Sequence, residues 1–174
     1  MAAEDGDGDD LVPDEFFAPK IFLLMLKTAG KQPTPGKNGE ATYKFTNIAH
    51  SPTFQRVWAQ GVIVHRAEDG TAFTLDDSTG PPAEVVVPST CDVASGGGLR
   101  VGAYVSVVAT VSPRHSRDAA RTRAAHALTA VKVRDLSDDV HREAHWNVEV
   151  LEGMKMLELS HHHRAGWVGP PIDS

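Results

Sequence analysis

One cysteine, Cys91, stands in 174 residues. An internal disulfide is therefore excluded, as is any zinc site built from several thiolates. A chain so poor in thiols suits a reducing compartment. Aromatic residues amount to only 6%, too few for an extended platform on which nucleic-acid bases stack. Positive charge is short as well. The net charge is −6 and the pI about 5.8, the wrong sign for a protein that chiefly grips phosphates. The longest apolar run, Ile21–Leu26, is too short to span a bilayer. The first ten residues, MAAEDGDGDD, are acidic where a secretory signal would be basic. The expectation is a soluble, intracellular protein.

Hydrophobic residues make up 41% of the chain, enough for one ordinary domain with a real core. Residues 1–15 are rich in Asp, Glu, Gly and Ala and read as a disordered leader. Residues 16–55 hold an apolar segment, Phe16-Phe17 and Ile21–Leu26, which is too hydrophobic to stay in water and is expected to pack on the domain. The loop Thr28–Gly39 follows, with two prolines and three glycines.

From Val57 the apolar period becomes two. On the first strand Trp58, Val62 and Val64 share one face, and Val57, Ala59 and Ile63 the other. Gly61 sits mid-strand, where a missing side chain permits a bulge or sharp coil. Asp69-Gly70 fits a tight hairpin. Strands follow at Thr71–Asp76, Glu84–Val87, Ala103–Val111 and Ala127–Asp135. Between Ser89 and Gly98 a Gly-Gly-Gly tract leaves little room for a connecting helix. Five strands with these uneven loops predict a mostly β protein: a single five-stranded OB-fold barrel over residues 56–139.

After Leu136 the period shifts towards 3.6, with Ser137 as the expected cap and Asp138, Asp139 and Glu143 in the first turns. The predicted C-terminal α-helix covers 140–159. Trp146, Val150, Met154 and Leu157 fall within a stripe of about 80°. Gly153 lies in the same stripe and permits close approach. This stripe either plugs its own barrel or packs on a helix of a second protein, as its Trp and Met content suits. Residues 160–174 read as a flexible tail.

No constellation for catalysis is found. Cys91 lies in a Ser/Thr/Gly-rich loop without a partner motif. Asp76-Asp77 suits turn formation better than metal binding, because neighbouring strand residues point to opposite faces. His161-His162-His163 could bind a transition metal, but three neighbouring histidines in a tail usually do nothing specific, and GGGLRVG lacks the phosphate-cradle pattern. Neither a cofactor nor a metal is expected. The one strongly basic stretch, Pro113–His126, carries Arg114, Arg117, Arg121 and Arg123 against a single Asp118. It joins strands four and five, where OB barrels often touch nucleic acid, and is either such a contact or a solvated loop. Trp58, Phe73 and Tyr104 are the aromatics that an exposed binding face would use.

VWAQGVIV, the DDSTG turn, GAYVSVVATV and ALTAVKVRDLSDDVHREAHWNVEVL together resemble the RecQ-mediated genome instability protein 2 family, over about residues 54–152. The turn and strand motifs are shared with the middle subunit of replication protein A. The VK-x-x-DLSD run followed by His141 and Trp146 is more discriminating. The resemblance implies a nuclear, non-enzymatic subunit that pairs with an OB domain of RecQ-mediated genome instability protein 1. Through that protein it would join a RecQ helicase and topoisomerase III in dissolving double Holliday junctions without crossover, serving homologous recombination, DNA repair and genome stability. It also implies a groove for repair-protein peptides. Lys132 and Trp146 match groove positions, Lys20 aligns more loosely, and the helix with Val140, Trp146, Val150, Met154 and Leu157 matches the pairing element. The alternative is a single-stranded-DNA-binding subunit like the middle subunit of replication protein A. An exposed row of Trp58, Phe73 and Tyr104 would favour it, and a buried set the scaffold.

Overall fold

The computed structural model describes residues 17–36, 38–48, 51–93, 99–113 and 126–164, with side chains as far as 158. The acidic leader, the basic run Arg114–Ala125 and the end of the tail lie outside the described residues.

Among the described residues eight strands and one α-helix follow in order: β1 (Ala29–Lys31), β2 (Tyr43–Phe45), β3 (Arg56–Arg66), β4 (Ala72–Asp76), β5 (Ala83–Val86), β6 (Asp92–Val93), β7 (Tyr104–Pro113), β8 (His126–Asp135) and α1 (Arg142–Arg164). Strands β3, β4, β5, β7 and β8 form the five-stranded barrel in the order β5-β4-β3-β7-β8, closed by parallel pairing of β5 with β8. The period-two reading carries through. Val57, Ala59 and Ile63 of β3, and Ala103, Val105, Val107, Ala109 and Val111 of and beside β7, are all buried. Small inward side chains let a barrel this narrow fill without voids.

Strand β3 serves two neighbours. Arg56–Val62 pairs with β7, while Val62–Arg66 pairs with β4, with a bulge between Ile63 and His65. Gly61 sits at the handover. A Cβ there would lie 2.5 Å from the Asp76 carbonyl oxygen, so the close approach of the end of β4 requires glycine.

Residues 28–39 are not simply a loop. Ala29–Lys31 forms β1, paired antiparallel with Tyr43–Phe45. The partner strand lies beyond a Pro/Gly turn, so the short Ala-Gly-Lys run carries no periodic signal of its own. The apolar segment before it is a 3-10 helix, Leu23–Thr28, with Ile21, Leu23 and Leu26 buried in the core shared with the barrel. Tyr43, Phe45 and Phe54 complete that end, with Phe45 and Phe54 rings 4.6 Å apart.

The DDSTG turn does more than reverse the chain. Asp76 Oδ1 accepts the Ser78 N–H, and Asp77 Oδ1 accepts both the Thr79 N–H and its hydroxyl. Asp77 Oδ2 then accepts the Leu23 N–H at 2.6 Å, and Thr79 Oγ1 the Leu24 N–H at 3.2 Å. Phe22 has no side chain able to cap the 3-10 helix, so a distant turn supplies the acceptors.

Ser137 does not cap α1. Its hydroxyl accepts the Tyr104 N–H and donates to Asp135 Oδ1, which ties the end of β8 to β7. Asp139 serves the helix start instead, its Oδ1 accepting the His141 N–H and its carbonyl the Arg142 N–H. The helix begins later than residue 140 and runs to Arg164, because no breaker intervenes before Gly166. Its inner stripe turns to the barrel: Trp146 and Val150 are 1% and 0% exposed.

Candidate partner interface

The seam between β3 and α1 is built on outward residues of β3. Trp58 and Gln60 share the face opposite the barrel core, as period two dictates. Pro19 and Ile21 exchange backbone hydrogen bonds with Trp58, so Lys20 lies against β3 in a parallel bridge. Its ammonium stands 5.0 Å from the Trp58 ring centroid and 5.9 Å from that of Trp146. The two indoles meet with centroids 5.7 Å apart and planes tilted by 50°. Trp58 Nε1 donates to Ser106 Oγ at 2.6 Å.

A charge network closes the seam. Lys20 Nζ donates to Glu149 Oε2 at 2.9 Å, and Arg142 binds both oxygens of Glu149 at 2.9 and 3.1 Å. Arg142 Nε also donates to Gln60 Oε1 at 3.2 Å. Burial raises the Glu149 pKa, but the hydrogen bonds from Lys20 and Arg142 outweigh it and hold the carboxyl below its ordinary value. Tyr104 is pushed up to about 12, first by burial and then by the nearby Glu143 carboxylate.

Beyond Glu149 the helix overhangs a groove of about 270 Å³ between Phe17–Lys20 and the stretch Gly153–Leu157. Nothing stands within 4 Å of where a Gly153 Cβ would be. On the outward side of α1, Val148 is 54% exposed and Leu151 62%. Val148 and Leu151, three residues apart, form one outward row.

Trp58, Phe73 and Tyr104 form no open row. Phe73 is 2% exposed, Trp58 lies against Lys20 and Trp146, and Tyr104 is half-buried. Among the described residues no cluster of three or more His, Cys, Asp or Glu suits a metal ion, and no helix is long and apolar enough to cross a membrane.

The family profile of RecQ-mediated genome instability protein 2 matches residues 17–165 of the chain. The chain belongs to that family. Solved structures of other proteins share its fold. A chain of a replication protein A heterotrimer bound to single-stranded DNA aligns over 81% of this chain and 98% of its own, at 15% identity and a TM-score of 0.58. A chain of the Schizosaccharomyces pombe Stn1–Ten1 complex aligns over 84% and 98%, at 15% identity and a TM-score of 0.62. No curated protein matches the sequence.

Within this member of the RecQ-mediated genome instability protein 2 family, the predicted site residues separate into groups. Trp146 and Val150 lie in the seam with the chain's own barrel, while Met154 and Leu157 line the groove. Val140, before the helix, is 85% exposed. Lys132 is on β8, ion-paired with Asp92 at 3.0 Å. Cross-strand register puts Lys132 opposite Val108 and Val108 opposite Trp58, so Lys132 and the indole pair flank the same outer sheet face. Arg114, Arg117, Arg121 and Arg123 lie outside the described residues.

Sequence reasoning missed Gln60, Arg142 and Glu149. A glutamine on the outward face of an otherwise apolar strand was the available signal. The outward row of Val148 and Leu151 was missed because the inner stripe drew the helical period to itself.

Proposed function

We propose that this chain is a non-catalytic OB subunit that pairs with an OB domain of RecQ-mediated genome instability protein 1 through the outward face of α1. Through that partner it supports a RecQ helicase–topoisomerase III complex in the nucleus, in double Holliday junction dissolution and crossover suppression. The groove beside Lys20, with Trp146 behind it and Lys132 across the sheet, takes short peptides of repair proteins.

The observation that carries this reading is the apolar row left in water on α1. Val148 and Leu151 are more than half exposed on a helix whose opposite face is already anchored. Each is already partly covered, so covering the rest contributes about 1–2 kcal/mol, and an apolar centre is what the buried core of an interface is made of. The two similar folds come from multi-subunit assemblies, in keeping with a barrel that works beside others. The single-strand-binding alternative has less support, because Phe73, Trp58 and Tyr104 form no open row.

Co-purification of the full chain with the partner's OB domain tests the proposal. Val148→Asp and Leu151→Asp are expected to abolish a one-to-one complex while circular dichroism and melting temperature stay near wild type. Retention of the complex in both variants refutes the outward-face pairing. Sub-micromolar binding of labelled single-stranded DNA at physiological salt by the chain alone refutes the scaffold reading.

A further inference from the structure

We infer that Glu149 is a tethered competitor in a carboxylate-binding site, holding Lys20 until an acidic side chain of an incoming peptide displaces it. The inference rests on the peptide-groove reading above and adds the means by which that groove is kept closed.

The seam has more donors than acceptors. Lys20 offers three N–H groups and Arg142 five, against the two oxygens of Glu149 and the Gln60 carbonyl. Two further donors, Gln60 Nε2 and Trp146 Nε1, are buried without an acceptor among the described residues, on side chains 0% and 1% exposed. Native seams seldom leave such groups unmatched, and a donor surplus beside two cations marks a place for an additional anion.

The occupant can leave. The Lys20, Glu149 and Arg142 side chains keep 34%, 29% and 21% of their exposure, so the Lys20 bond breaks without opening the core. Lys20 then keeps its position over the two indoles, and Arg142 retains Glu149 through its own fork. The apolar groove lies one helical turn beyond Glu149, with Lys20 on its rim and Phe17, Pro19, Met154 and Leu157 in its walls. The two subsites together fit a peptide with an apolar side chain next to Asp or Glu.

Charge selects a carboxylate over a phosphate. Lys20 and Arg142 carry two positive charges and Glu149 one negative. A single carboxylate brings the site to neutrality, whereas a phosphate at about −1.5 to −2 overfills it, because Glu149 cannot leave its helix.

The full-length chain, ¹⁵N-labelled, is titrated with sodium acetate, sodium phosphate or sodium chloride at matched ionic strength, following the Trp58 and Trp146 indole N–H resonances. In Glu149→Gln, which keeps the side chain's shape, acetate should shift both indoles saturably, with half-saturation about tenfold lower than in wild type. Lys20→Met in that background should abolish the response, and Lys20→Arg should keep it. Equal acetate response in wild type and Glu149→Gln overturns the inference, as does a response no larger than that to chloride. Tighter saturation by phosphate overturns the carboxylate assignment. A labelled peptide alternating Phe and Glu separates this inference from the groove reading. Equal peptide affinity in wild type and Glu149→Gln leaves the groove and removes the competitor. Acetate binding to Glu149→Gln without peptide binding to either form leaves the competitor and removes the groove.

Discussion

Trp146→Ala is expected to detach α1 while leaving the barrel folded. The indole is 1% exposed and meets Trp58 at a tilt, with centroids 5.7 Å apart. Truncating a buried aromatic of this size costs about 3–5 kcal/mol. Val150 remains as the other fully buried anchor of the helix, contributing about 1.5–3 kcal/mol. Helical stability comes mostly from tertiary packing. The remaining polar ties, including that of Arg142 to Gln60, run through the partly exposed side chains of Lys20, Glu149 and Arg142 and contribute little, so the loss exceeds what still docks α1. None of β3, β4, β5, β7 and β8 depends on Trp146 for its pairing. Hydrogen exchange should therefore show amides of residues 146–157 losing protection by at least about a hundredfold, with β7 and β8 close to wild type. Unchanged helix protection would refute the seam energetics. Equal loss in helix and strands would refute the separation of helix from barrel. The variant should also lose the partner, but by displacing Val148 and Leu151 rather than by removing a contact.

Gly61→Ala places a Cβ 2.5 Å from the Asp76 carbonyl oxygen, where neither backbone can yield freely, and should cost about 1–3 kcal/mol in urea unfolding. Asp77→Ala removes acceptors for Leu23 and Thr79 and should cost about 1–2 kcal/mol. Asp76→Ala loses one exposed bond to Ser78 and should stay within about 0.5 kcal/mol of wild type. Burial holds the His126 pKa below its ordinary 6.5, against the raising effect of its bond to the Leu26 backbone. The unfolded chain thus takes up this proton first. The resulting stabilisation is complete above 6.5 and is lost as pH falls through the folded-state value. Melting curves between pH 7 and 5 should fall less steeply for His126→Gln than for wild type.

The barrel was legible because its strands repeat every two residues and their turns are marked by Asp-Gly and Asp-Ser-Thr-Gly. β1 was not, since Ala29–Lys31 becomes a strand only through pairing with Tyr43–Phe45. Ser137 has the right residue type for a cap, yet the Tyr104 N–H takes its oxygen. For α1 the period identified Trp146 and Val150 as one stripe but not what covers it, because a helix carries the same pattern whichever partner it meets. The seam was hidden for a different reason. Lys20 and Glu149 are 129 positions apart, and a pair so distant leaves no local pattern.

That same contact joins the first described segment of the chain to its last helix. Lys20 precedes all five barrel strands in the chain and Glu149 follows them, so the contact spans the whole barrel. The seat of α1 is itself a face of the barrel, since Trp146 meets Trp58 and Arg142 meets Gln60, both on β3. The outward row of Val148 and Leu151 therefore takes its position only where the barrel is in place beneath it, and a partner that reads this row reads the folded state of the barrel as well.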